Sequence, residues 1–449
     1  MENFCTLHFD YLIIGAGVTG LTFADMLLRE TPAQIAIVDR YGRAGGAWND
    51  AYAYAQLEHA PNQFGIPSFP ISTFLSKQTN QSSGHPIFRN TILAYFETLM
   101  KDHILATGRV KYFPATEHLG HGRIRARETD GVKSLKIDRK IVDATRNGRW
   151  SRYKHVPCLS FEKNVDVISP HALHSHIQST GKPYKRYCII GAGGAGADTA
   201  YYLLSLGVSA DKIVWVKPRE AWFVDPSLTG PPAERHLVRQ VEQATTREEL
   251  FAILEASRYL SRTSKNIAPT MHHASVKPAS AVEALAAIEH VVRKGHVKSI
   301  SPIGLALEGG TEAMPPRTLY IDCSAGPSLR RARPMIFSED HIIVQPCSIA
   351  DPGFSASIIA AIELSRESTA AKNALCVPLA RPDTPFDFLS GLQLSLANLY
   401  NWRTHPTVNQ WLTQHHPTSR LTPTSALLSA NHQLQRLLER PSFPSVNQS

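Results

Sequence analysis

The sequence predicts an α/β protein, and three observations carry that prediction. A unit of short apolar strand, glycine turn, helix and second strand occurs twice, first from Asp10 and again from Tyr187. Two further apolar strands, 141–145 and 319–326, each end in an Asp and a small-residue turn, and they bracket the second unit in sequence. After Ala380 the composition shifts to Pro, Ser, Thr, Gln and His, with helical patches over 392–402 and 426–438. Together these predict two Rossmann-like dinucleotide-binding domains, the second inserted in the first, followed by a helical C-terminal tail. The expected boundaries are 1–168 with 315–449 for the first domain and 169–314 for the second. Within the second domain the stretch 227–295 reads as largely helical, with a helix over 281–294 closed by Gly295 as C-cap.

Each element has a local reason. The run Asp10-Tyr11-Leu12-Ile13-Ile14 reads as a strand, and Gly15-Ala16-Gly17-Val18-Thr19-Gly20 follows it at once. The next residues, 21–29, carry apolar side chains at helical spacing, and a second apolar run, 35–38, ends in Asp39. The first glycine permits a tight turn, the second lets the backbone approach a pyrophosphate, and the third lets helix and strand pack closely. N–H groups at the helix start then hold the phosphates. Asp39 falls nineteen residues after Gly20, close to the ~20 at which an acid accepts hydrogen bonds from ribose hydroxyls.

The pattern returns at Tyr187-Cys188-Ile189-Ile190, followed by Gly191-Ala192-Gly193-Gly194-Ala195-Gly196, a helix over 198–205 and a strand over 212–216. This time the strand runs into Lys217-Pro218-Arg219-Glu220, with two cations in place of the acid. A carboxylate at Asp39 repels a 2′-phosphate. Lys217 and Arg219 attract one, Arg as a bidentate fork and Lys as a point charge. The sequence therefore predicts NADPH rather than NADH at the second turn.

Composition narrows the remaining classes. With 449 residues, 43% hydrophobic and 19% charged, the chain has the make-up of a globular protein with more than one domain. Lys and Arg outnumber Asp and Glu by 47 to 38, yet no basic run reads as a nucleic-acid arm. The cysteines at 5, 158, 188, 323, 347 and 376 form no CxxC, and no GxSxG elbow occurs. Three histidine groups, His171 with His174 and His176, His272-His273 and His415-His416, lack a Cys or carboxylate at metal-ligand spacing. No stretch reaches the ~20 apolar residues of a membrane span. The expectation is a cytoplasmic protein with no metal and no nucleic-acid partner.

Beside the two glycine units, Gly45-Gly46-Ala47-Trp48-Asn49 matches a GG(T/A)W segment, and 353–357 reads Gly-Phe-Ser-Ala-Ser. On these motifs, from Asp10 to Leu364, the chain resembles the flavin-containing monooxygenase-like and pyridine-nucleotide-disulfide-oxidoreductase-like flavoproteins. The resemblance implies FAD at the first unit and NADPH at the second. Candidate FAD contacts are Gly15, Gly17, Gly20, Asp39, Arg40, Gly46, Trp48, Asp322, Asp351 and Gly353. Candidate NADPH contacts are Gly191, Gly193, Gly196, Lys217 and Arg219. The stretch 48–68 supplies Tyr52, Tyr54, Gln56, His59 and Asn62 for the flavin face, with Asn62 and His59 as the catalytic candidates. The helix starting near Gly353 would stabilise negative charge on a reduced flavin.

Two departures shape the expected activity. The redox cysteine pair of the disulfide reductases has no counterpart in the spacing. The monooxygenase linker fingerprint FxGxxxHxxx(W/Y) is broken in the segment from Phe161 to His171, which lacks the glycine. The resemblance still implies NADPH-dependent oxidoreduction, with a C4a-(hydro)peroxyflavin oxygenating a small organic substrate and molecular oxygen as co-substrate. A dehydrogenase or reductase that inserts no oxygen is the alternative, followed by a nucleotide-binding protein without turnover.

Overall fold

The computed structural model describes residues 7–58, 60–78, 86–146, 159–179, 184–228, 231–324, 333–349, 352–415 and 422–439. Strand β1 (Leu7–Ile14), helix α1 (Val18–Glu30) and strand β2 (Ile35–Val38) form the first unit. The four residues of β2 are all buried, which is why they read as an unbroken apolar run: a parallel strand covered on both faces has no polar side. The strand Val110–Phe113, β2, β1 and the strand Val132–Asp143 lie side by side in that order, all parallel. An antiparallel pair, Thr116–Gly120 and Arg123–Ala126, extends the sheet beyond Val132–Asp143, and His341–Ile343 joins that strand in parallel from far along the chain.

The second sheet runs Asp166–Ile168, Thr318–Asp322, Arg186–Ile190, Ile213–Val216 and Val291–Val292, entirely parallel. It moves the expected boundaries outward. Thr318–Asp322, assigned above to the first domain, is fully buried and lies between Arg186–Ile190 and Asp166–Ile168. Among the described residues the first sheet is rejoined at His341.

A second correction concerns 281–294. The helix is Ala279–Ala286, and Val291–Val292 is a strand paired with Trp215 and Val216. Two adjacent β-branched residues favour the pleated surface once a partner strand is available. Gly295, at φ +77°, turns the chain toward the next strand, Val297–Ser301. The stretch 227–295 thus mixes the helices Pro231–Gln243 and Arg247–Ala256 with the strands Leu260–Ser261 and Met271–Val276.

Among its described residues the tail forms the helices Pro385–Thr404, Pro406–His415 and Thr424–Glu439. The first opens on a capping box, with Thr384 and Asp387 satisfying each other's backbone N–H groups. Trp402, with no exposed surface, donates its indole N–H to the Leu375 carbonyl at 2.6 Å. One apolar core holds α1, the tail and the helices Pro231–Gln243 and Arg247–Ala256 together, so the tail is part of the body of the molecule. Among the described residues no helix is long and apolar enough to cross a membrane.

Candidate dinucleotide sites

The first glycine turn is sterically closed to larger residues. A Cβ on Gly20 would sit 1.9 Å from the Gly15 carbonyl oxygen, far inside van der Waals contact, so helix and turn approach as they do only because Gly20 has no side chain. Gly15, at φ +107°, donates its N–H to Val38 at 2.8 Å. Gly17 caps α1 without any side-chain hydrogen bond, and no acid occupies the first turn. These first N–H groups are left for an anion.

Gly46 presses against Gly17, where an added Cβ would lie 2.7 Å from the Gly17 Cα. The GGAW segment is a 3₁₀ turn, Gly46–Asp50. Arg89 fastens it by donating to the Trp48 and Asn49 carbonyls at 3.1 and 3.0 Å. The Asp39 carboxylate accepts N–H groups from Ala16 and, at 2.8 Å, from Tyr41. It is only 4% exposed, and burial raises its pKa. The acid therefore braces the glycine turn itself from the end of β2. Arg40 lies at the rim, bonded to the Tyr41 hydroxyl at 2.6 Å and 3.5 Å from Asp50.

The second turn repeats this geometry. A Cβ on Gly196 would stand 2.0 Å from the Gly191 oxygen, and Gly193 caps the helix Gly194–Ser205 with no side-chain bond. Trp215 donates its indole N–H to Gly191 at 2.8 Å. Asp322, at the end of its strand, accepts the Ser324 N–H at 3.0 Å and its hydroxyl.

The two predicted cations part company. Lys217 is 3% exposed, and its Nζ bonds Glu220 at 2.8 Å and also Thr263. Burial lowers the pKa of this lysine. Burial works against charge on Glu220 as well, but Lys217, Thr263 and Arg293 together hold that carboxyl below the usual range. Arg219 is drawn away to the tail, where its guanidinium grips Asp383 at 3.1 and 3.4 Å. The sequence reading missed Arg293. It follows the unexpected strand Val291–Val292, reaches Glu220 at 3.1 Å and keeps 31% of its side chain exposed. Lys217, Thr263, Asn266, Trp215 and Arg293 line a cavity of about 340 Å³ at this strand end. Glu289 lines it as well, so the two cations, Lys217 and Arg293, are matched by two carboxylates, Glu220 and Glu289. Arg293 stands in this lining, whereas Arg219 does not.

The flavin-face candidates are also redistributed. Tyr52 and Tyr54 turn toward the second unit: the Tyr52 hydroxyl donates to Asp198, and the Tyr54 hydroxyl lies 2.9 Å from that of Thr199. The Tyr54 ring stacks on Tyr202 at 4.2 Å. Gln56 pairs by a backbone bridge with Phe88. Asn62 sits in the 3₁₀ turn Pro61–Gln63, but its side chain, together with His59 and Asp351, lies outside the described residues. Gly353 is buried in the first turn of the helix Pro352–Glu363.

The histidines of the 171–176 group go to separate partners: Asp50 at 2.6 Å, Tyr202 at 2.7 Å and Tyr184 at 2.8 Å. Cys347 and Cys376, distant in sequence, lie side by side as buried free thiols, and burial followed by the Cys347 thiol raises the pKa of Cys376.

No family model matches the chain. Among solved structures it is similar to an open form of cyclohexanone monooxygenase, at 12% identity over 83% of this chain and 92% of that one, with a TM-score of 0.48. It is also similar to an oxidised steroid monooxygenase bound to NADP, at 13% identity over 79% and 84%, with a TM-score of 0.48. The bacillithiol disulfide reductase Bdr of Staphylococcus aureus matches at 12% identity over 81% and 100%, with a TM-score of 0.44. Over 447 residues the chain is 32% identical to the uncharacterized proteins Rv2000 of Mycobacterium tuberculosis and Mb2023 of Mycobacterium bovis, a match covering 97% of this chain and 81% of each of those. The chain belongs to the family of these mycobacterial proteins.

Proposed function

We propose that the chain is an FAD-dependent, NADPH-consuming oxidoreductase. The observation that carries this reading is a pair of glycine turns of one geometry with different charged groups beyond them: Asp39 alone at the first, and the cations Lys217 and Arg293 among Glu220 and Glu289 at the second. Bound FAD and NADPH would supply the hydride acceptor and donor. The protein supplies position and electrostatics. The N–H groups at the start of α1 and of Gly194–Ser205 would hold the two pyrophosphates. Asp39 would accept from the adenosine ribose of FAD and disfavour a 2′-phosphate there. The Arg293 guanidinium would donate to the 2′-phosphate of NADPH. The loop 51–58 and the helix Gly194–Ser205 press two tyrosine hydroxyls and a stacked ring pair between the units, which keeps water from the space they fill.

The finer reading is monooxygenation of a small organic substrate. The GGAW turn pressed on Gly17 and fastened by Arg89 supports it. The experiment is anaerobic reduction by NADPH followed by rapid mixing with oxygen. A resolved spectral phase before oxidised flavin returns supports oxygenation. Direct return to the oxidised spectrum moves the assignment to a reductase.

A further inference from the structure

At the seam between the two units lies a buried ionic group that neither glycine turn uses. Lys277 follows the strand Met271–Val276 and donates its backbone N–H to the Val224 carbonyl at 2.9 Å. Its ammonium contacts two carboxylates from different parts of the fold, Glu58 at the end of the loop that follows the GGAW turn and Asp198 on the helix Gly194–Ser205. The three side chains are 9%, 20% and 17% exposed. Asp198 also accepts the Tyr52 hydroxyl, so loop and helix are joined twice around one lysine. The same strand passes the helix start, where an added Cβ on Gly194 would lie 3.4 Å from the Ser275 hydroxyl.

We propose that Lys277 is a positioning residue: its ammonium clamps the loop 51–58 onto the nucleotide helix and so sets how closely the two bound dinucleotides approach. The second half of that statement rests on the oxidoreductase reading, and the first half does not. The charge balance gives the clamp its direction. With Lys277 present, one cation separates two acids. Without it, Glu58 and Asp198 face each other as like charges, and the loop is pushed off the helix. Burial opposes the charge on Lys277, but Asp198 and Glu58 outweigh that and raise its pKa. The lysine therefore stays charged and paired, and it does not serve as a proton donor near neutral pH. The clamp residues Glu58, Asp198 and Lys277, with Tyr54 and Tyr202, line a small cavity of about 110 Å³, so the seam has room for the loop to shift.

The test uses the holoenzyme and two readouts, hydrogen exchange of the amides of 51–58 and the rate of anaerobic flavin reduction at saturating NADPH. In Lys277→Met, exchange in 51–58 should rise about tenfold or more while that of Arg186–Ile190 is unchanged, the signature of a local opening. The saturating reduction rate should fall about tenfold with the Kd for NADP changed less than about threefold, because misplacement penalises the reacting geometry more than binding. Lys277→Arg should restore most of both. Should Lys277→Met not yield folded protein, Glu58→Gln cuts the loop side of the clamp alone and should give the same local exchange. Unchanged exchange in 51–58, or exchange rising equally across the second sheet, overturns the proposal. If the wild-type protein fails to bleach with NADPH, the oxidoreductase reading falls, and the exchange result decides the clamp by itself.

Discussion

The two glycine turns are alike at the helix start and unlike at the end of the following strand, where the proposed reading puts the ribose. In both, the third glycine lies about 2 Å, measured from an added Cβ, from the oxygen of the first. In both, a glycine caps a helix whose first N–H groups are unused by side chains. At the ribose end the first turn keeps its own acid, Asp39, folded back on Ala16. The second turn buries its own cation, Lys217, against Glu220 and receives a replacement, Arg293, from the neighbouring strand. The comparison teaches that the local motif repeats the turn and the helix start, whereas the charged groups beyond it come from elsewhere in the fold, Arg293 from the end of the neighbouring strand.

The largest expected effect tests the shared half of the comparison. Gly20→Ala and Gly196→Ala each place a Cβ inside a carbonyl oxygen. Each should cost roughly 4 kcal/mol or more, the range of strained backbone and overpacked cores, visible as loss of soluble protein or a large fall in the denaturant midpoint. If either variant is as stable as wild type, the close approach does not exist at that turn.

Next come the two acids, one at each ribose end. Glu220→Gln leaves Lys217 buried without its counter-ion and should cost about 3–5 kcal/mol. Asp39→Asn keeps one acceptor and places an amide against a backbone N–H, for about 1–3 kcal/mol. Urea unfolding of the two variants side by side checks the order, and equal costs would erase the distinction between a buried ion pair and a backbone brace.

A smaller and more specific effect concerns Arg293. Arg293→Gln should weaken binding of 2′,5′-ADP by about 10–100-fold, the worth of roughly 1.5–3 kcal/mol of a charge-assisted contact, and leave 5′-AMP nearly unaffected. Arg219→Gln should change both by less than about threefold, since its guanidinium is held by Asp383 on the tail. Trp215, which lines the same cavity, supplies a fluorescence signal for the titration. The reverse ranking of the two arginines would restore the expectation drawn from sequence.

What could be read in the chain follows from how local each feature is. Both glycine units were legible because strand, turn, helix and strand are contiguous, and so were Asp39 and the strand ending in Asp322. Val291–Val292 was not, because four residues after a good helix its β-branched pair becomes a strand only by lying against Trp215 and Val216. With that strand hidden, Arg293 was hidden too. Arg219 was assigned by adjacency, but Asp383, 164 residues further on, takes it. The clamp had no sequence signal at all, since Lys277 and Glu58 are 219 residues apart. The tail read correctly as helical, yet its packing against 231–256 in one core depends on contacts that no local pattern announces.

The most direct test of the account is an anaerobic titration of the purified protein with NADPH, followed by flavin absorbance. The account predicts a yellow protein that bleaches fully with one equivalent of NADPH and poorly with NADH. A colourless protein that takes up no FAD, or a yellow one that NADPH does not bleach, would contradict it.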